Sequence, residues 1–169
     1  MSATTRAAVL VPLQYDSGGT SVVLTRRADW LPTHAGQISF PGGRYDPDHD
    51  ESLLATALRE ADEEIGLRPT DVEVLGALPT VSTMSSRFEI HPFVARIAAA
   101  YAFTPHPGEV VEVFSMPLHA HGDPARRGAH RWTVDERVIE VPAILYEGRV
   151  VWGATLRIVD LLFQSPYLL

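Results

Sequence analysis

The chain has 169 residues, of which 46% are hydrophobic and 21% are charged, a composition typical of a globular protein. Its formal charge is −7, and all 14 basic side chains are Arg because the sequence contains no Lys; Cys is also absent. These absences exclude thiol nucleophiles, disulfides, zinc–cysteine sites, lysine Schiff bases and Walker-type phosphate loops. The acidic balance disfavours general polyanion binders, so we expect neither nucleic acid nor a membrane as a partner.

The length is typical of one domain, and we expect residues 1–169 to form it. The apolar runs at 7–13 and 97–103 are too short to span a bilayer, and no signal-peptide cleavage pattern follows the first. We therefore expect a cytoplasmic protein. Apolar, strand-rich segments such as residues 150–152 leave room for a homodimer.

The N-terminal part of the chain begins with strand-like runs. Predicted strands cover residues 7–12, 21–26 and 37–40. Turn residues at 16–19 join the first two as a β-hairpin, and Pro41, Gly42 and Gly43 end the third. Residues 46–50 are predicted to form a loop.

Residues 51–65 form the clearest predicted helix. Its apolar positions recur at helical spacing, giving one apolar face: Leu54, Leu58, Ala61 and Ile65. Asp48 or Asp50 can cap its start, and Gly66 is a natural stop.

The remainder of the chain is predicted to be mostly strands. These strands cover residues 72–78, 89–98, 110–114, 131–134, 137–141, 143–146 and 150–152. The last four pair as two hairpins, and a second amphipathic helix follows at 154–163. Strands outnumber helices, and the helices lie far apart in the chain. We expect an α/β (α+β) architecture in which a mixed β-sheet carries helices on both faces.

Three carboxylates of the predicted helix share one side, because Glu60, Glu63 and Glu64 lie at i, i+3 and i+4. Two such charges about 4 Å apart repel by roughly 4 kcal/mol at an effective dielectric of about 20. The cluster therefore suits either a solvated helix face or a divalent cation, and its oxygens suit Mg²⁺ or Mn²⁺. Arg59 can pair with Glu63 or with another helix carboxylate.

The helix sequence reads Glu51, seven residues, then Arg-Glu-Ala-Asp-Glu-Glu-Ile-Gly-Leu at 59–67. This string resembles the Nudix box, which is Gly, five residues, Glu, seven residues, then Arg-Glu-apolar-x-Glu-Glu-x-Gly-apolar. The one departure is that seven residues rather than five separate Gly43 from Glu51. The resemblance implies the Nudix fold, with a mixed sheet sandwiched between helices, and a metal-dependent hydrolase.

A second motif precedes the helix. Its positions are Leu24, Thr25, Arg27, Ala28, His34, Gly36 and the Ser-Phe-Pro-Gly-Gly at 39–43. They resemble the signature of Nudix coenzyme A pyrophosphatases, which implies a small nucleoside diphosphate substrate of the coenzyme A class. The expected products are 3′,5′-ADP and 4′-phosphopantetheine. Alternatives are another substrate (ADP-ribose, a dinucleotide polyphosphate, NADH or a nucleoside triphosphate) and a Nudix-fold binding module without catalysis.

The resemblance also implies the roles of the acidic residues. The expected ligands of Mg²⁺ or Mn²⁺, direct or through water, are Glu51, Glu60, Glu63 and Glu64. Arg59 would hold these glutamates in place, and the general base would be Glu63 or Glu109. We prefer Glu109 to Glu112 for this role, because the Pro/Gly-rich flank of Glu109 predicts a loop that can reach the site.

The phosphates of the substrate would be bound by residues of the upstream motif. Arg26 and Arg27 can hold phosphate bidentately. Neighbouring strand residues point to opposite faces, so we expect one of them, Arg26, to face the ligand. His34 would contact a phosphate or stabilise its loop. Gly42 and Gly43 allow close approach of metal or phosphate, and the family resemblance implies a glycine carbonyl as a metal ligand.

Two further predictions concern residues outside these motifs. We expect Trp30, Trp132 and Trp152 to pack within the protein rather than to stack against a base. We expect Ser85, Ser86, Arg87 and Phe88 to form a plain turn rather than to border the substrate.

Overall fold

The structure, a computed structural model, describes residues 3–83 and 87–168, so Ser85 and Ser86 lie outside the described residues. The strands there are β1 (Thr5–Asp16), β2 (Gly19–Arg27), β3 (Ile38–Ser39), β4 (Gly42–Arg44), β5 (Glu73–Ala77), β6 (Val81–Ser82), β7 (Phe88–Arg96), β8 (Val110–Pro117), β9 (Arg127–Val134), β10 (Arg137–Tyr146) and β11 (Arg149–Trp152). The helices are α1 (Leu53–Ile65) and α2 (Gly153–Phe163), with short 3₁₀ turns at Pro69–Asp71, Leu118–Ala120 and Pro124–Arg126.

The larger sheet is mixed. Its order is β3-β2-β1-β7-β5, with β4 on β1, β6 on β7 and β8 on β2. The β1–β7 pair is parallel, and the other pairs are antiparallel. The β1–β2 hairpin has its turn where the sequence predicts it. A smaller antiparallel sheet has the order β11-β10-β9, because β10 continues through Pro142 and joins the two predicted C-terminal hairpins into one sheet.

Alternation along β1 builds two cores on opposite faces of the large sheet. Ala8 and Leu10 pack in the core that α1 covers. Val11 and Leu13 pack in the core that α2 covers. The sheet therefore lies between two helices, which confirms the expected fold class. No helix among the described residues is long and apolar enough to cross a membrane.

Helix α1 begins two residues later than predicted, and its cap differs from the prediction. The Ser52 hydroxyl accepts a hydrogen bond from the Ala55 N–H at 3.1 Å, so neither Asp48 nor Asp50 is the cap. The helix ends at Gly66, whose φ of 67° is left-handed and therefore favours glycine. The buried face is also rotated from the prediction, since Leu54 is only half-buried whereas Thr56, Ala57 and Glu64 are buried.

The third strand ends before Pro41 as predicted, but Gly42 and Gly43 are not an irregular turn. These residues form β4, which pairs antiparallel with Ala7, Ala8 and Val9 of β1. A Cβ on Gly42 would overlap the Ala8 carbonyl oxygen and the Val9 side chain. Glycine is needed here because β4 lies so close to β1, and this contact holds the segment directly beside α1.

Candidate active site

Two glutamates of α1 lie against the two glycines of β4. A Cβ on Gly43 would stand 2.6 Å from Glu60 Oε1, so the Glu60 carboxylate packs on the glycine backbone. Four residues later, Glu64 Oε2 accepts a hydrogen bond from the Gly42 N–H at 3.4 Å. The 42–43 segment therefore has no side chain between its backbone and these two carboxylates.

Arg59 holds the cluster through several carboxylates. Its Nε and Nη2 donate to the two oxygens of Asp50 at 2.7 and 2.9 Å, a bidentate pair. Its Nη1 donates to Glu60 at 3.1 Å and to the exposed Glu63 at 3.3 Å. Asp50 is 6% exposed and also accepts from the Thr56 hydroxyl at 2.8 Å. Arg59 therefore connects the buried loop before α1 to the carboxylates that face β4.

The residue that anchors Arg59 is Asp50, a partner outside the helix that the sequence did not predict, and the predicted contact with Glu63 forms as well. Glu51 is exposed and immediately precedes the cap Ser52. Seven helical residues at 1.5 Å each separate Leu53 from Glu60 by about 10 Å along the axis, and Glu51 lies before the start of the helix. The sequence predicted Asp50 only as a possible helix cap, and its pairing with Arg59 was missed.

Burial and neighbouring negative charges raise the pKa of two carboxyl groups in the cluster. Burial raises the pKa of Glu64 to about 8, helped by the negative charge of Glu60 and opposed by the Gly42 N–H. The pKa of Glu60 is also raised, mainly by burial. Glu109 adds negative charge to both residues, so the loop before β8 brings Glu109 near the cluster. Asp50 is the opposite case, because hydrogen bonds from Arg59 outweigh burial and lower its pKa well below its usual range.

The donor chemistry fits a hard divalent cation. Glu64 is buried with one long hydrogen bond and two like-charged neighbours, an arrangement that a cation between the oxygens would relieve. Within residues 3–83 and 87–168, no three Asp, Glu or His side chains already have metal-binding geometry. Glu60 and Glu64 are the residues best placed to hold a cation, with Glu109 nearby and Glu63 at the exposed rim.

The structure separates Arg26 from Arg27. Arg26 lies two positions after Leu24, so its side chain points to the same face of β2, the α2 side. There its Nε lies 3.8 Å from Glu112 Oε2. Arg27 faces the other side, where its positive charge opposes the burial that raises the pKa of Glu64. Arg27 therefore lies on the carboxylate side, and the expectation that Arg26 faces the ligand stays a prediction.

The remaining predicted residues lie outside the cluster. His34 is exposed and has a φ of 54°, and its Nδ1 lies 3.1 Å from Gln37 Oε1, so its described contacts stay within its own loop. Glu112 accepts a hydrogen bond from Arg149 Nε at 3.0 Å on the α2 side. Trp30 is 66% exposed, so the expectation that it packs inside the protein is wrong.

The NUDIX domain family model matches residues 4–137, most of the chain. The chain belongs to the Nudix family. The Nudix hydrolase NudL of Yersinia pestis (strain Pestoides F), whose name calls it uncharacterized, is 41% identical over 163 residues, covering 95% of this chain and 79% of the relative. NudL of Yersinia pseudotuberculosis serotype O:1b (strain IP 31758) shows the same identity and coverage.

Solved Nudix structures have the same fold. RenU, a Nudix hydrolase from M. smegmatis, aligns with a TM-score of 0.66 at 20% identity, covering 100% of this chain and 91% of that one. The NUDIX domain of Shewanella oneidensis NrtR, solved with ADP ribose, aligns with a TM-score of 0.54 at 26% identity, covering 70% and 76%. The family and the relatives identify this protein as a Nudix hydrolase, an enzyme class that generally uses divalent cations such as Mg²⁺ or Mn²⁺.

Proposed function

We propose that this Nudix hydrolase cleaves the diphosphate of coenzyme A or a coenzyme A derivative. Water adds to one phosphorus and the bridging P–O bond breaks, giving 3′,5′-ADP and 4′-phosphopantetheine or its acylated form. The observation that supports this substrate is the position of the upstream motif. Its Arg27, Gly42 and Gly43 all lie on the side of the sheet that holds Glu60 and Glu64.

Each residue around the cluster has a proposed role. Glu60 and Glu64 hold the cation. The negative charges of Glu63 and Glu109 act on these ligands, so both residues contribute to the surroundings of the cation. When bound, such a cation neutralises the diphosphate and lowers the pKa of the attacking water. Arg27 binds a phosphate through its planar guanidinium.

The proton of the attacking water needs an acceptor, and two carboxylates qualify. Glu63 lies 3.3 Å from Arg59 and therefore already shares an ion pair, whereas Glu109 has no such pair among the described contacts. Both are exposed and can take a proton from solvent-side water. We propose Glu109 or Glu63 as the general base, with Arg59 as a positioning residue that Asp50 holds.

The decisive experiment identifies the products by mass. The purified protein is incubated with coenzyme A and Mg²⁺ or Mn²⁺, and 4′-phosphopantetheine is expected together with 3′,5′-ADP. Glu64→Gln is expected to reduce turnover at least about a hundredfold, an effect within the range of losing electrostatic transition-state stabilisation. Asp62→Asn is the matched control, because Asp62 is an exposed carboxylate on the same helix and should leave turnover unchanged.

ADP-ribose is the second candidate substrate, because the NrtR domain was solved with it. A panel of ADP-ribose, NADH, a dinucleotide polyphosphate and a nucleoside triphosphate at fixed Mg²⁺ discriminates between them. Turnover of ADP-ribose without turnover of coenzyme A would contradict the proposal. Binding without phosphate release from any substrate would instead indicate a binding module.

A homodimer and a cytoplasmic location stay predictions.

A further inference from the structure

A groove of about 570 Å³ lies on the α2 side of β2, where the small sheet approaches the large one. Its size falls within the range of small-molecule sites, roughly 300–1,000 Å³. The side chains that give it chemical character are Arg26, Glu112, His130, Trp132, Arg149 and Trp152. None of them belongs to the carboxylate cluster, so the groove is distinct from that cluster.

One wall of the groove is aromatic. Trp152 stacks on His130 with ring centroids 4.3 Å apart and an interplanar angle of 25°. Trp132 leans on Trp152 at 5.4 Å and 54°. All three rings are only partly buried, so part of this surface faces the groove. Indole faces bind flat rings, and stacking of a base on an aromatic side chain is worth about 1–3 kcal/mol.

The lining of the groove also includes two arginines, whose guanidinium groups differ in how fully they are paired. Arg149 donates to both Glu112 and Glu147, so its guanidinium is already paired. Arg26 has only a long ion pair, 3.8 Å from Glu112, and its Nε is buried with no hydrogen-bond partner among the described residues. Its side chain is 44% exposed. Of these two arginines, Arg26 is therefore the one whose guanidinium group is available to bind an anion.

We propose that this groove binds the nucleotide half of the substrate, with the base against Trp132 and Trp152 and a phosphate on Arg26. A ring beside an anion is the ligand that matches a groove lined by both indole rings and an under-engaged guanidinium. The identity of the ligand as the 3′,5′-ADP half of coenzyme A rests on the proposed function. The groove itself rests on the contacts above.

The position of the groove agrees with a ligand that also reaches the carboxylate cluster. Arg26 and Arg27 are consecutive at the end of β2 and face opposite sides of the sheet. The loop after β2 passes this end, and its Gly36 and Gln37 line the groove. A substrate that crosses the end of β2 thus places its diphosphate near Arg27 and its terminal nucleotide near Arg26.

The test measures nucleotide binding without catalysis. Adenosine, 3′,5′-ADP and 4′-phosphopantetheine are titrated by calorimetry into the protein in EDTA, which removes cation-dependent binding at the carboxylates. Trp132→Leu is expected to weaken both adenosine and 3′,5′-ADP by at least about fivefold, the lower limit of base stacking. Arg26→Gln is expected to weaken 3′,5′-ADP by a similar factor and to leave adenosine unchanged.

Two substitutions serve as matched controls. Arg131→Gln removes an exposed Arg beside Trp132 on β9, and Trp30→Leu removes an exposed indole outside the groove lining. Both are expected to bind all three ligands as the wild type does. Circular dichroism shows whether Trp132→Leu is folded, and Arg26→Gln tests the groove independently of that variant.

The outcomes separate the groove from the proposed activity. Wild-type affinity for 3′,5′-ADP in both groove variants, or a loss confined to 4′-phosphopantetheine, overturns the groove assignment. No measurable binding of 3′,5′-ADP to the wild type overturns it as well. If the groove variants lose nucleotide binding while the wild type leaves coenzyme A intact with Mg²⁺, the groove stands and the proposed substrate fails.

Discussion

Replacing Glu64 by Gln is expected to stabilise the metal-free protein although it lowers turnover. Glu64 is 7% exposed, and burial raises the pKa of its carboxyl to about 8. Gln has nearly the same shape, keeps an oxygen that can accept from the Gly42 N–H, and carries no charge. The substitution therefore removes the cost of burying an anion and leaves the packing against β4 in place.

The sign and size of this effect follow from the pKa. A carboxyl whose pKa is higher in the folded than in the unfolded state destabilises the fold increasingly as pH rises from the unfolded value of 4.5 to about 8. The difference between the folded and unfolded pKa values, at 1.36 kcal/mol per pKa unit, sets an upper limit of about 5 kcal/mol on the loss of folding free energy above pH 8. Relaxation and water penetration reduce such costs, so we expect a gain of about 2 kcal/mol at pH 8.5.

The assay is urea unfolding in EDTA at pH 5 and at pH 8.5. The Glu64→Gln variant should gain stability at pH 8.5 and little at pH 5, because the wild-type carboxyl is then mostly protonated in the fold. Asp62→Asn, an exposed change on the same helix, should stay within about 0.5 kcal/mol of the wild type at both values. Adding Mg²⁺ should stabilise the wild type more than Glu64→Gln.

Two results would refute this reasoning. A variant that is less stable than the wild type at pH 8.5 would show that the buried carboxylate is already compensated. A gain of equal size at pH 5 and pH 8.5 would show that it arises from packing and not from charge.

Two further predictions concern the neighbours of the cluster. Asp50→Asn should lower the free energy of unfolding by about 3–5 kcal/mol, because it leaves the Arg59 guanidinium without its bidentate partner. Because the pKa of Asp50 is lowered in the fold, its contribution to the free energy of unfolding is present above pH 3.8 and is lost as pH falls below that value. The stabilities of the variant and the wild type should therefore converge in acid. Glu51→Gln, a change at an exposed residue, is the control and should leave urea unfolding unchanged. Gly43→Ala should lower turnover at least about tenfold by displacing the Glu60 carboxylate. Wild-type kcat in that variant would show that Glu60 can move without loss.

Local sequence patterns were sufficient for the elements around the site. The β1–β2 hairpin, the span of α1 and its stop at Gly66 depend on alternation, helical spacing and the left-handed φ that glycine tolerates. The sequence likewise brings Glu60, Glu63 and Glu64 onto one side of a helix, because that requires only helical periodicity. These features depend on residues within a few positions of one another.

The tertiary structure decided which groups those side chains meet. Asp50 pairs with Arg59, because the loop before α1 buries the Asp50 carboxylate while it leaves Glu51 exposed. The separation of Arg26 from Arg27 depends on which layer covers each face of β2. The groove that contains Trp132 and Trp152 needs two sheets that are distant in the chain. Such contacts depend on packing between remote segments, whereas periodicity reports only on neighbours.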